Sequence, residues 1–156
     1  MKILVTAILL LLFSIVHAPV AKARDWKEDQ ASANQYYEQG KYGKAFGLYY
    51  KNAKIGVSEA QDMLSQMYEK GEGKKVDLEE AYAWSVLAAE RGSVTIAERR
   101  DSLLARVKDK EAAEKKAEKL QSKYGREALQ RKADSKARLK HNTKSGGCTG
   151  SKLDCR

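Results

Sequence analysis

The residue pair whose types and spacing most plainly suggest chemistry is Cys148 and Cys155, near the end of a 156-residue chain. In an exported protein two such cysteines are oxidised to a disulfide. Closing so short a loop restricts the unfolded tail by roughly 2.5 kcal/mol in chain-entropy terms. The bridge ties the tail to nothing upstream, so residues 148–156 read as a disulfide-closed loop. Two readings stay open, a rigid loop presented to a partner and a plain staple of the tail. Other chemistry-bearing residues lack companions. Beyond residue 23 there is one histidine, His141, in a basic stretch. It has neither a second histidine nor a cysteine pair at zinc spacing beside it. No nucleophile elbow and no phosphate-binding glycine loop occurs. Gly71-x-Gly73 joins two helical stretches, and Glu79 and Glu80 stand at a helix start, where acidic residues favour the helix dipole. The pattern predicts a non-enzymatic protein without cofactor or metal.

The compartment is read from the N-terminus. Lys2 precedes an apolar run over residues 3–16, which is 14 residues long. A membrane-spanning helix needs about 20 residues. The run has the length of a signal-peptide core, and Ala21-Lys22-Ala23 supplies the small residues that signal peptidase requires. Residues 1–23 are expected to be a signal peptide cleaved after Ala23, giving a periplasmic or secreted protein.

Charge is unevenly placed. The formal net charge is +9. Residues 24–107 carry 13 basic and 14 acidic side chains, whereas residues 108–156 carry 15 basic and 7 acidic ones. Residues 125–147 form a basic, helix-permissive or flexible extension with Arg126, Arg131, Lys132, Lys136, Arg138, Lys140 and Lys144. Such a run is either a solvated face or a site of attraction to an anionic surface, here lipid headgroups or cell-wall polymer. No aromatic residue accompanies these cations, so nucleic acid is not expected as a partner.

The elements that would position these residues are helices. Behind a charged lead-in, residues 24–30, a period near 3.6 runs through Ala45, Leu48, Tyr49, Asn52 and Ala53. It returns in Ala60, Met63, Leu64, Met67 and Tyr68, and again in Ala81, Trp84, Ala88 and Ala89. Gly56 and Gly92 follow two of these stripes, where a left-handed residue is expected to end a helix. Ala45 and Ala81 are 36 residues apart, as are Ala53 and Ala89, and Gly56 and Gly92. Phe46 maps onto Tyr82 and Leu48 onto Trp84 at the same offset. An internal repeat of this length predicts stacked helix pairs that share a core.

Met67, Tyr68, Gly71, Gly73, Asp77, Ala81, Trp84, Ala88, Ala89 and Gly92 follow the pattern of a known motif. Here the chain resembles the Sel-one-like repeat, a relative of the tetratricopeptide repeat. The resemblance covers roughly residues 31–124. It implies an all-α fold, a short right-handed α-solenoid of antiparallel helix pairs. Residues 97–124 resemble the helix pair that closes such domains, but Lys108 and Asp109 replace the usual Thr-Pro break. The final helices are then free to fuse into one longer rod. Some cysteine-rich relatives have been linked to β-lactam binding, and this chain lacks their cysteines within the repeats. The family presents its first helices as a concave surface for peptides or proteins. That implies a scaffold whose partner contacts would be Gln35, Tyr36, Asp62, Gln66 and Glu69. The alternative is an envelope-surface binder acting through the basic extension.

Overall fold

The computed structural model describes residues 25–144, in which every element is helical. The helices are α1 (Trp26–Glu38), α2 (Tyr42–Ala53), α3 (Ser58–Lys70), α4 (Leu78–Ala89), α5 (Val94–Arg106), α6 (Lys110–Tyr124) and α7 (Arg126–Lys144). The fold is all-α among the described residues. The signal-peptide segment and the residues around Cys148 and Cys155 lie outside them.

Neighbouring helices run in opposite directions through α4, as their end contacts show. The ring of Tyr37 meets that of Tyr42 at 5.3 Å where α1 turns into α2. At the other end of this pair, Asn52 Nδ2 donates to the Trp26 carbonyl at 2.9 Å. Between α2 and α3, Gln61 Nε2 donates to the Ala53 carbonyl at 3.1 Å, and Phe46 meets Tyr68 at 5.4 Å. Between α3 and α4, Asp77 N–H donates to the Tyr68 carbonyl at 3.1 Å. The Ser58 hydroxyl closes the far end of that pair on the Ala88 carbonyl at 3.0 Å.

The core is organised around α4. Ala81, Tyr82, Ala83, Trp84, Ser85, Leu87 and Ala88 are all buried, so the helix is covered on every side. A helix that is apolar all round must be enclosed, and α3, α5 and α6 enclose it. Trp84 and Leu87 join one cluster with Ala33, Ala45, Phe46, Tyr49, Ala53, Ala60, Leu64 and Met67. Ala81, Tyr82 and Ala83 join a second with Leu103, Val107, Ala113 and Ala117. Trp84 lies between Tyr50, edge-on at 5.8 Å, and Tyr124, stacked at 6.2 Å. Burial pushes the neighbouring Tyr49 phenol up to about 12, and its hydroxyl donates to Asn34 Oδ1 at 2.8 Å.

Two sequence-based expectations change, and one open alternative is decided. First, the segment taken as a lead-in is helical from Trp26. The Asp25 side chain accepts from Lys27 N–H, and Glu28 and Asp29 occupy the first turn, where negative charge is favoured. Asp29 is buried against Lys51 of α2, which anchors this turn to the domain. Second, a left-handed helix end occurs at Gly56, with φ +87°, but not at Gly92. Gly92 is required for space: a Cβ there would lie 2.7 Å from the Ala88 carbonyl and 2.6 Å from Ile96 Cδ1. Third, the final helices do not fuse. Asp109 caps α6 by accepting from Ala112 N–H at 2.9 Å. At the next junction Glu90 Oε2 accepts the Arg126 N–H at 2.7 Å, starting α7 afresh.

The Gly71-x-Gly73 turn is a connector, with φ +79° and +77°. A Cβ at Gly73 would lie 2.8 Å from the Tyr42 carbonyl, so the turn packs on the start of α2.

Trp84→Ala is expected to cost roughly 3–5 kcal/mol, the range for truncating a fully buried aromatic. A chain ending at Lys132 should keep its stability to within about 0.5 kcal/mol, because it removes only exposed helix from the described part. Urea denaturation measures both. A larger loss from the truncation than from Trp84→Ala would contradict this core assignment.

Candidate functional site

Polar side chains join α1, α3 with its following connector, and α5. Tyr37 Oη donates to Glu72 Oε2 at 2.7 Å, and Lys70 Nζ donates to Tyr37 Oη at 3.3 Å. Between α3 and α5, Arg99 Nε faces Asp62 Oδ1 at 3.2 Å as an ion pair without hydrogen-bond alignment. Arg106 forms a second pair with Glu69. The hydrogen-bonded partners among these are 33, 35 and 37 residues apart. Those separations match the 36-residue offset of the sequence repeat. The Lys70 ammonium is raised above its ordinary value, chiefly by its bond to Tyr37. Burial, then the Glu72 carboxylate, raises the Tyr37 phenol.

This face divides the five residues expected to contact a partner. Gln35 is exposed, and Tyr36 is half-buried with Lys44 Nζ 5.4 Å from its ring centre. Asp62, Gln66 and Glu69 are engaged within the chain: Gln66 Nε2 donates to Asp62 Oδ2 at 2.9 Å, and the two carboxylates face the arginines of α5. Arg99 and Arg106 escaped notice in the sequence. Their signal was the repeat itself, since each stands 37 residues after its acidic partner.

The second charged group lies at the start of α4. Asp77 accepts the Glu80 N–H at 2.9 Å as the helix cap. Lys116 of α6 reaches Asp77 at 3.2 Å, Glu79 at 2.9 Å and Glu80 at 4.0 Å. Burial alone would raise the Asp77 carboxyl; the Glu80 N–H and the Lys116 ammonium outweigh it and hold the group below its ordinary value. Burial, opposed by Lys116 and assisted by Asp77, pushes Glu80 above its own. Burial disfavours the Lys116 ammonium, but Glu79 and Asp77 prevail and raise it. The lysine thus acts as the counter-ion that lets three carboxylates share one helix end. Glu90, at the other end of α4, is spent on Gln121 Nε2 and the Arg126 N–H.

The basic residues lie as an exposed helix. Arg126, Arg131, Lys132, Lys136, Arg138 and Lys140 are all exposed on α7, as is His141. Lys144 ends that helix. Among the described residues no group of three or more His, Cys, Asp or Glu is placed to hold a metal. No helix among them is long and apolar enough to cross a membrane. No protein-family model matches the chain, and no curated protein shows significant similarity to it.

Lys116→Met removes the shared counter-charge and should cost about 1 kcal/mol at pH 7, a figure discounted for the exposed part of the lysine. In the wild type, Asp77 stabilises the fold above its unfolded value, and this is lost as pH falls through its lowered folded value. Glu80 has the opposite sign. Without the ammonium that lowers them, Asp77 and Glu80 both rise in the variant, so the deficit shrinks as pH falls and they take up protons within the fold. A deficit that stays constant with pH in urea titrations would contradict this role.

Proposed function

We propose that the chain is a non-enzymatic scaffold, a short right-handed α-solenoid of antiparallel helix pairs of the Sel-one-like type. It holds a protein or peptide partner on the face formed by α1, α3 and α5. One observation carries this reading: these helices are tied through Tyr37 with Lys70, Asp62 with Arg99 and Glu69 with Arg106, at separations close to the offset of the sequence repeat. Stacked pairs bury a shared core and leave one extended face for recognition. A face held by its own ion pairs loses little freedom when a partner docks, which favours affinity.

The sequence resemblance supports the same reading through residues of the turn and of α4. Gly71 and Gly73 adopt left-handed backbone in the connector, Asp77 caps α4, and Ala81, Trp84 and Ala88 are buried. The motif residues are accounted for by packing, so recognition falls to the positions they leave open. Gln35 and Tyr36, with Lys44 beside them, offer polar and aromatic contacts. Asp62, Gln66 and Glu69 keep α3 and α5 in register and shape the rest of the face. The proposal includes export by residues 1–23, an envelope location and closure of the tail through Cys148 and Cys155.

A photo-crosslinker placed at Tyr36 should capture one discrete partner in cells, identified by mass spectrometry. The same group at exposed Glu118, on α6, should not. Gln35→Ala with Tyr36→Ala should lower partner recovery about tenfold, the loss of roughly 1.4 kcal/mol of contact, with helical circular dichroism retained at the temperature of the assay. Tyr36 packs on the edge of the core, so a lower urea midpoint accompanies it. Equal capture from both positions, or recovery unaffected by the double variant, would refute the face.

A further inference from the structure

Beyond the scaffold reading, we propose that α7 and the end of α6 form one lysine-lined surface that holds the domain against an anionic phospholipid bilayer without inserting into it. Lys132, Lys136 and Lys140 recur every fourth residue, so they share one face of α7. Successive members are about 6 Å apart along the axis. The acidic residues Glu127 and Asp134 are seven apart and fall on the opposite face. There they are already engaged, Glu127 with Arg131 at 3.9 Å and Asp134 with Gln130 Nε2 at 2.9 Å. The lysine face therefore carries no carboxylate, while Arg131 and Arg138 lie with the two acidic residues on the other side.

The stripe does not begin at α7. Lys132 Nζ donates to the Lys123 carbonyl at 2.6 Å and lies 5.7 Å from the Tyr124 ring centre. Lys123 and Lys119, one turn earlier on α6, are both exposed. A run of cations thus leads from Lys119 through Lys123 and Lys132 to Lys136 and Lys140. The junction is fixed. Glu90 caps the first turn of α7, and Leu129 sits over Gly56, where an added Cβ would be 2.7 Å from Leu129 Cδ1. The surface is held in a set direction relative to the repeat domain.

The chemistry of this surface selects its occupant. Residues 130–141 are exposed throughout, and Leu139, 68% exposed, is the one large apolar side chain among them. A helix of that kind has no apolar stripe to bury among acyl chains. It has no aromatic platform on which bases would stack. Long lysines spread along about 12 Å of α7, with Lys119 and Lys123 continuing the row on α6, match a laterally extended array of phosphate headgroups better than one compact anion. Basic residues near an anionic leaflet each strengthen attachment about fivefold, and the attraction falls off within a Debye length.

Co-sedimentation of the full chain with vesicles tests this. Phosphatidylglycerol mixed with phosphatidylcholine is compared with phosphatidylcholine alone, so that any apolar contribution of residues 3–16 appears equally on both. The expected excess binding to the anionic vesicles is abolished by high salt. It falls about 25-fold in Lys119→Gln/Lys123→Gln and again in Lys136→Gln/Lys140→Gln, at about fivefold per charge. It is retained in Lys119→Arg/Lys123→Arg, which keeps the charge, and tryptophan fluorescence from the repeat domain does not shift. No excess on anionic vesicles, excess that survives high salt, or excess unchanged by the Gln variants would overturn the proposal. So would equal binding to polyglutamate or single-stranded DNA at the same charge concentration.

Discussion

The rest of the structure depends on the complete enclosure of α4. Its residues face two clusters at once, with Trp84 and Leu87 turned toward α1, α2 and α3 and Ala81, Tyr82 and Ala83 toward α5 and α6. Neither cluster is closed without it. Small side chains make this possible, because alanines let three helices approach one axis while Trp84 fills the single wide gap. The entropy cost of ordering so short an array is met largely by this shared wall. It also explains why the motif residues concentrate in and around α4.

Polar groups then fix the order of the helices around that wall. Asp62 with Arg99 and Glu69 with Arg106 hold α3 beside α5, and Tyr37 with Glu72 and Lys70 holds α1 beside α3. Lys116 fastens α6 to the start of α4, and Glu90 fastens α7 to its end. Pairs at a half-exposed surface contribute modestly to stability, so their main effect is register. They consume charges that a reading of the sequence assigns to a partner. Of the five residues expected to contact a partner, Gln35 and Tyr36 are left outside these ion pairs, and the excess of basic residues gathers on α6 and α7.

Much of the fold is legible in the sequence. The apolar spacing located the body of the helices, and the offset between Ala45 and Ala81 announced a period that the polar contacts repeat. Gly71 and Gly73 marked the connector because only a residue without a side chain takes their backbone easily. What escaped the sequence was set by contacts distant along the chain. Trp26 is helical because Asp29 and the Trp26 carbonyl meet Lys51 and Asn52 of α2. Gly92 matched Gly56 by offset, yet it is needed for close approach to Ala88 and Ile96 rather than for backbone conformation. The final helices are separated by Asp109 and Glu90, and neither breaks a periodic pattern. The candidate face was located only in part, because the arginines that neutralise Asp62 and Glu69 come from a helix one repeat later.

The central claim is that α4 is the wall on which all other elements depend, and native-state hydrogen exchange tests it most directly. Amides of α4 should exchange only through global unfolding, with an opening free energy equal to that of the whole domain and the same denaturant dependence. Amides of α7 beyond residue 131 should exchange through local opening at far lower free energy. Exchange of α4 amides through a local opening, while those of α2 or α6 remain protected to the global limit, would contradict the account.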